Sequence, residues 1–321
     1  MEITFLTPLA ALFAAAALVP FAVFLGRERR IGRIRVALGL AEPSRRSRLS
    51  PAVALVAVCA LLGLAAAQPV VATTRVLPER TDAQVFVVFD TSRSMLASAE
   101  PGAPTRFERA RSLAVALRDQ LPEVPVGAAS ITDGLLPHLF PTTDRRVFVA
   151  TIDKAMDVER PPPSHSATIA TALEGLASAP TKNYFPRSAE RRVLVVFTDG
   201  ETRPVAFPGE FANAFRKEPR VQTVFVRLWG ADERIYETGV AEVGYRPDPA
   251  SGEMLAQIAS MVDGRVVSED ESGELPQVVS DLLGTGLTID REHEGRRRAL
   301  MPYVTLAVFL PLGFVLLRRN L

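Results

Sequence analysis

The sequence has few of the residues from which disulfides and zinc sites are built. It contains one cysteine, Cys59, so no disulfide can form within the chain, and the cysteine count does not identify the cellular compartment. The three histidines lie far apart and no Cys/His cluster accompanies them, so a zinc site is not expected. The phosphate-loop pattern G-x-x-x-x-G-K-[ST] is also missing, so we do not expect ATP hydrolysis by this chain.

The middle of the chain lacks a net positive charge. The formal net charge is +1, but residues 27–50 carry +6 and residues 51–295 carry −9. Nucleic-acid binding needs a basic face on the globular part, so this distribution argues against it. The arginines flank apolar segments instead, which is typical of membrane topology.

Three apolar segments predict transmembrane helices at residues 3–25, 51–67 and 300–317, because about 20 apolar residues cross a bilayer. The basic residues follow the first segment, which disfavours a signal peptide there. Small residues at the end of the second segment leave cleavage at that point open.

The charges next to these segments predict an orientation. The basic loop at residues 26–50 and the C-terminus should lie in the cytoplasm, and residues 68–298 outside it, on the periplasmic or extracellular side. Arg296, Arg297 and Arg298 would then lie on the outer side, against the rule, but the +6 loop outweighs them. We therefore expect a multi-pass protein of the cell membrane.

Between the second and third segments, short apolar runs alternate with helical patterns. Strands are predicted at residues 84–89, 126–131, 135–140, 192–198, 221–228 and 265–268. Helices are predicted at residues 105–120, 144–156, 169–177, 252–261 and 273–283. This alternation predicts an α/β fold with a doubly wound, mostly parallel sheet and helices on both faces.

Polar residues follow two of the predicted strands, where α/β proteins bind ligands. Asp90, Ser92 and Ser94 form a D-x-S-x-S pattern after the first strand, and Asp199 follows the strand that ends at Thr198. Carboxylate and hydroxyl oxygens suit Mg²⁺, Mn²⁺ or Ca²⁺. Each of these residues could also be a simple cap or turn residue, but together they indicate a divalent-cation site.

With these motifs and the order of strands and helices, residues 80–287 resemble the von Willebrand factor A (VWA) family. Its metal-ion-dependent adhesion site (MIDAS) uses D-x-S-x-S, a later threonine and a later aspartate. Placing Ile169 and Leu173 on the family pattern puts Ala167 at the threonine position. Thr168 is then the preferred substitute ligand, and Ser166 is the alternative.

The layout of the apolar segments resembles the membrane VWA proteins of bacterial Bat (aerotolerance) operons. The resemblance implies a binding role, in which the ion, Mg²⁺ in the first place, takes an Asp or Glu of a partner protein. Arg93 could add a second contact to that carboxylate. It also implies association with other membrane VWA proteins and a MoxR-type AAA+ ATPase, although a cytoplasmic ATPase could reach only residues 26–50.

Other functions remain as alternatives. Catalysis is not expected, because magnesium-dependent phosphoryl-transfer hydrolases usually have a carboxylate where this chain has Ser92. A transport role lacks acidic, lysine or histidine residues within the apolar segments. A component of a transport or chaperone-like complex, and a structural membrane module with an empty, degenerate site, also stay open.

Overall fold

The computed structural model describes residues 2–39, 45–160 and 171–319 of the chain. They divide into two compact units. The first comprises the described residues up to Val76 and those from Glu292 onward, and the second runs from Leu77 to Arg291. The predicted domain at residues 80–287 falls within the second unit.

The helices and strands are numbered along the chain. The strands are β1 Glu2–Phe5, β2 Pro69–Arg80, β3 Ala83–Asp90, β4 Ala97–Ser98, β5 Val126–Ile131, β6 Leu135–Thr142, β7 Arg191–Thr198, β8 Val221–Arg227, β9 Arg234–Ile235, β10 Arg265–Ser268 and β11 Thr288–Ala299. The α-helices are α1 Leu18–Ala37, α2 Arg45–Ala66, α3 Arg106–Gln120, α4 Arg145–Lys154, α5 Ser178–Thr181, α6 Pro208–Phe215, α7 Ser251–Met261, α8 Leu275–Leu283 and α9 Met301–Arg319. Short 3₁₀ helices lie at Pro8–Ala17, Arg93–Leu96, Leu173–Ala177 and Glu269–Glu274.

In the first unit, β1 pairs with β2 in an antiparallel arrangement, and α2 packs against α9. The prediction of one continuous helix over residues 3–25 is wrong. Residues Glu2–Phe5 form strand β1 instead, because their backbone groups bond to β2, and a 3₁₀ helix separates β1 from α1. The predicted loop at residues 26–50 also differs, since α1 extends to Ala37 and α2 begins at Arg45.

Helices α2 and α9 overlap the second and third segments predicted to cross a membrane. Among residues 2–39, 45–160 and 171–319, no helix is both long enough and apolar enough to span a bilayer. The structure thus gives no support to the three predicted transmembrane helices.

In the second unit, six strands form one sheet in the order β10-β8-β7-β3-β5-β6. Neighbours run parallel from β10 to β5, and β6 at the edge is antiparallel to β5. The predicted mostly parallel sheet is confirmed. Strands β3 and β7 lie beside each other at its centre, so the residues that follow them emerge at the same edge.

The core is divided by the sheet. Along β3, Val85, Val87 and Phe89 pack on one face, with buried residues of α3, α4 and α8. Phe86 and Val88 pack on the opposite face, with buried residues of α6 and α7. Alternate residues of a strand point to opposite faces, so this continuous apolar run fills both layers, as predicted for a doubly wound fold.

Two helix starts follow the sequence signals, and one predicted helix does not. Thr105 and Glu108 form a capping box at the start of α3, and Asp144 caps α4. Of the helix predicted over residues 169–177, residues 169 and 170 lie outside the described part of the chain. Thr171 is extended and bridges to Thr202, so helical structure begins only at Leu173.

Candidate functional site

Two strand ends bring Asp90 and Thr198 together. Strands β3 and β7 are paired in parallel, with Phe89 opposite Phe197, so Asp90 and Thr198 end their strands at the same level. The Thr198 hydroxyl donates a hydrogen bond to Asp90 Oδ2 at 2.7 Å. Both residues are fully buried.

The other oxygen of Asp90, Oδ1, accepts two hydrogen bonds. One comes from the backbone N–H of Ser92 at 2.9 Å and the other from the Thr171 hydroxyl at 2.8 Å. Asp90 is thus held by neutral donors from three segments of the chain. A carboxylate surrounded in this way has a fixed orientation, which is what a metal ligand or a structural anchor requires.

Burial raises the pKa of Asp90, and the negative charge of Asp199 raises it further, to about 6. Hydrogen bonds from Thr198 and Ser92 act in the opposite direction and stabilise the charged form. Asp90 is therefore a buried carboxylate that is held by neutral donors and lies in the field of a second carboxylate. A divalent cation would stabilise its charged form, so the electrostatics fit a metal site.

The two serines of the D-x-S-x-S pattern lie side by side. Ser92 Oγ and Ser94 Oγ are 3.0 Å apart, and both residues are buried. They occupy the start of the 3₁₀ helix Arg93–Leu96, which is anchored by the fully buried Met95. This short helix turns both hydroxyls in the same direction, beside Asp90.

Thr171 is the site residue that the sequence analysis missed. Its backbone C=O accepts hydrogen bonds from the Thr202 hydroxyl at 2.8 Å and from Arg203 N–H at 2.9 Å, and this holds its side chain at Asp90. The two predicted ligands of this loop, Thr168 and Ser166, lie outside the described residues. In the alignment above, the family's threonine stands at Ala167, two residues before Ile169. Thr171 stands two residues before Leu173, so placing Leu173 at the position given to Ile169 would have identified it.

Asp199 is fully buried, but its closest partner is a cation. Its Oδ2 accepts a hydrogen bond from Arg106 Nη1 at 2.8 Å, and its Oδ1 accepts one from the backbone N–H of Glu201 at 2.9 Å. The predicted ligand is therefore present at the strand-end site, but it forms an ion pair within the protein.

Arg106 is the centre of a buried ionic cluster. Its side chain has no exposed surface, and it also contacts Glu201 at 3.1 Å, Glu233 at 2.6 Å and the Tyr245 hydroxyl at 2.9 Å. Burial lowers the pKa of Arg106, but the charges of Asp199 and Glu233 outweigh it and the pKa is raised. Burial and the Asp199 charge raise the pKa of Glu201, and burial raises that of Tyr245.

Gly200 shapes the loop that carries Asp199. Its φ is +81°, in the region that favours glycine, and a Cβ there would lie 2.8 Å from the carbonyl oxygen of Ser251. The Thr198 hydroxyl accepts a hydrogen bond from the Gly200 N–H at 3.1 Å. The turn predicted after Thr198 thus has a specific geometry that keeps β7 and α7 close together.

Arg93 lies on the surface beside the serines, where it was predicted. Its Nη2 contacts Glu237 at 2.9 Å and Glu242 at 3.0 Å, and its Nη1 lies 3.7 Å from Glu159. A partner's carboxylate would have to compete with these glutamates for Arg93. The same glutamates make the surface next to the site acidic.

The oxygen donors fit a hard divalent cation better than an ion that prefers nitrogen or sulfur ligands. Within the described part of the chain, no three His, Cys, Asp or Glu side chains are grouped so as to hold a metal by themselves. Hydroxyl donors are therefore essential to any ion site here, and they converge with a buried carboxylate, as Mg²⁺, Mn²⁺ or Ca²⁺ would require.

Comparisons with known proteins agree with this fold. The family model of the von Willebrand factor type A domain matches residues 85–201. No curated protein is similar enough in sequence to match the chain. The crystal structure of a conserved hypothetical protein, BatB from Bacteroides thetaiotaomicron, is similar with a TM-score of 0.52 and 20% identity, over 62% of this chain and 98% of that one.

Two further solved structures are more distant. An aerotolerance-related membrane protein from Bacteroides fragilis has a TM-score of 0.48 and 19% identity, over 63% of this chain and 98% of its own. Proximal thread matrix protein 1 of the mussel byssus, with a zinc-occupied MIDAS motif, has a TM-score of 0.43 and 16% identity, over 76% of this chain and 55% of its own.

Proposed function

We propose that this chain carries a von Willebrand factor type A domain, whose family model matches residues 85–201. Its strand-end site would bind a divalent cation, Mg²⁺ in the first place, and through it an acidic group of a partner protein. Mn²⁺ and Ca²⁺ are the alternatives, since the donors are all hard oxygens. The protein would act in adhesion, scaffolding or complex assembly.

One observation carries this proposal. Asp90 is buried and oriented by Thr171, Thr198 and the Ser92 backbone, next to two serine hydroxyls that lie 3.0 Å apart. If these residues were only helix caps or turn residues, each side chain would bond to the backbone N–H groups of its own segment. Here donors from three separate segments converge on one carboxylate instead, which favours a common ligand.

The roles of the side chains follow from their chemistry. Ser92, Ser94 and Thr171 would offer hydroxyl oxygens to the ion, and Asp90 would offer charge, directly or through water. Asp199 would also offer charge, directly or through water. When bound, a divalent cation supplies an electropositive position that an external carboxylate can fill.

The acidic surface near the site gives this arrangement a physical purpose. Glu159, Glu237 and Glu242 surround Arg93, so a free carboxylate approaching the site is repelled. Without a cation, no net electrostatic attraction would favour binding of the partner's Asp or Glu there. We therefore expect partner binding to require the divalent ion.

Calorimetric titration of the purified full chain with Mg²⁺ and Mn²⁺ tests the proposal. Saturable binding is expected for the natural sequence, and none for Asp90→Asn, which keeps the size of the side chain and removes its charge. Asp153→Asn is the matched control, because Asp153 is an exposed carboxylate on α4. Equal binding by Asp90→Asn would refute the site.

A structural module with an empty site is the alternative that the same titration decides. Absence of binding to every divalent ion tried would favour it. The proposal is for binding rather than catalysis, and metal-dependent turnover of a generic phosphate ester that is lost in Asp90→Asn would contradict that part.

The wider assembly and location are proposals carried by the sequence. The apolar segments and their arginines favour a multi-pass membrane protein with the VWA domain outside and residues 26–50 in the cytoplasm. By resemblance to Bat-type proteins, other membrane VWA proteins and a MoxR-type AAA+ ATPase are the partners to seek. Release of the chain from membranes by alkaline extraction would contradict an integral location.

A further inference from the structure

Arg106 is the first residue of α3, directly after the capping residue Thr105. The capping box between Thr105 and Glu108 fixes where the helix begins, and it therefore fixes the backbone position of Arg106. Its side chain has no exposed surface. Arginine is almost never fully buried unless it is paired with acidic groups, and Arg106 is paired with three carboxylates.

The guanidinium joins the two loops of the proposed metal site. Arg106 Nη1 lies 2.8 Å from Asp199 Oδ2 and 3.5 Å from the backbone carbonyl of Ser94. Glu201 and Glu233 also contact it, at 3.1 and 2.6 Å. Its Nη2 is buried and has no hydrogen-bond partner among the described residues, so charge pairing, rather than complete hydrogen bonding, holds it there.

The two carboxylates of the site therefore differ in charge environment. Asp90 is bound by neutral donors only, two hydroxyls and a backbone N–H, as far as the described residues show. Asp199 is in contact with a full positive charge. A cation at the site is consequently attracted by one uncompensated carboxylate instead of two.

We propose that Arg106 is a tethered cation that neutralises Asp199, and that it thereby keeps the affinity of the site for divalent ions low and leaves the charge of a bound ion available to an external carboxylate. This inference rests on the proposed function and adds a positioning residue to it. It predicts a site that binds metal weakly alone and more tightly when the partner is present.

The test is metal affinity and thermal stability of the full chain with Arg106→Gln, which removes the charge. Loss of the cation leaves buried carboxylates unpaired, so the melting temperature without metal should fall. Mg²⁺ affinity should rise roughly ten-fold or more, since a repelling charge beside the ion is gone. Saturating Mg²⁺ should then recover much of the lost melting temperature.

Two variants separate charge from packing. Arg106→Lys keeps the positive charge, so its Mg²⁺ affinity should stay close to that of the natural sequence even if it melts earlier. Arg109→Gln is the matched control. Arg109 lies on the same helix as Arg106, and it pairs with Glu233 and Glu269 but does not contact Asp199. It should lower the melting temperature and leave Mg²⁺ affinity unchanged.

If Arg106→Gln does not fold, removing the charge of its partner Asp199 tests the inference instead. Asp199→Asn leaves the charge of Arg106 opposed only by Glu201 and Glu233, so Mg²⁺ affinity should fall. Adding Arg106→Gln to that variant should restore at least part of the Mg²⁺ affinity. The effects of the two substitutions on affinity should therefore not be additive in a double-mutant cycle. Failure of the second change to restore binding would overturn the inference.

The outcomes for metal binding distinguish this inference from the proposed function. If the natural chain binds Mg²⁺ and Arg106→Gln binds it no more tightly, the inference is wrong and the proposed function stands. If the natural chain binds none but Arg106→Gln does, the inference stands and the proposed function fails. Binding by neither overturns both.

Discussion

Each oxygen of Asp90 accepts a hydrogen bond from a buried threonine, Thr171 on Oδ1 and Thr198 on Oδ2. Side chains of this type serve both as donors to a carboxylate and as oxygen ligands to an ion. In the proposed cation site, Thr171 would therefore change from a donor to Asp90 into a ligand of the ion. At the scale of the residue, the site is defined by hydroxyl groups as much as by charge.

Thr171→Val should remove a donor to Asp90 and a ligand to the ion. We expect Mg²⁺ affinity to fall about ten-fold and stability to fall by about 1 kcal/mol, which is typical of one lost hydrogen bond. Calorimetric titration and thermal melting measure the two effects separately.

Thr91→Val is the control for this prediction. Its hydroxyl is also buried in the site loop, but it bonds to Thr132 at 2.8 Å rather than to Asp90. It should lose similar stability and keep its Mg²⁺ affinity. A loss of affinity in Thr168→Val, with none in Thr171→Val, would show that Thr168 is the ligand after all.

At the scale of the element, caps determine where helices begin. The side chain of Asp144 accepts hydrogen bonds from the backbone N–H groups of Arg146 and Val147. These groups have no partner within the helix, so the cap satisfies them and its negative charge also suits the helix start. Helix α4 packs Phe148 and Ile152 into the core, so its start affects the whole layer.

Asp144→Ala should therefore reduce the free energy of unfolding by about 1 kcal/mol. Urea denaturation measures this change. Asp153→Ala, which removes an exposed carboxylate from the same helix, should have a much smaller effect. Equal losses in the two variants would mean that charge, and not the cap, is responsible.

At the scale of the whole molecule, the proposed ion binding would be linked to folding of the second unit. The site is assembled from Asp90 at the end of β3, Thr171 before a 3₁₀ helix and Asp199 after β7, which are distant in sequence. An unfolded chain cannot present these groups together. A cation that binds only the folded state must therefore stabilise it.

Mg²⁺ at about a hundred times its dissociation constant should raise the free energy of unfolding of this unit by about 2.7 kcal/mol. Differential scanning calorimetry with and without Mg²⁺ measures the effect. Sodium chloride at matched ionic strength controls for screening. A shift of the same size in Asp90→Asn would show that the ion acts elsewhere.

Local sequence patterns were sufficient to predict the sheet and the positions of Asp90, Ser92, Ser94 and Asp199 at its strand ends. Continuous apolar runs bounded by polar residues report burial on both faces of a strand, and this local signal survives folding. The strand predicted at residues 126–131 was correct for the same reason. The helix predicted from residue 144 begins at Arg145, directly after its cap Asp144. Helix α6 was missed, because its eight residues are too short for a clear helical period.

The contacts between distant parts of the chain depend on tertiary packing. Arg106 reaches Asp199 over 93 residues, and Thr171 reaches Asp90 over 81. No local pattern encodes such a contact, because it depends on how β3, β7 and α3 pack. The sequence showed a pattern of hard oxygen donors, and the packing showed that Arg106 lies against one of them, Asp199.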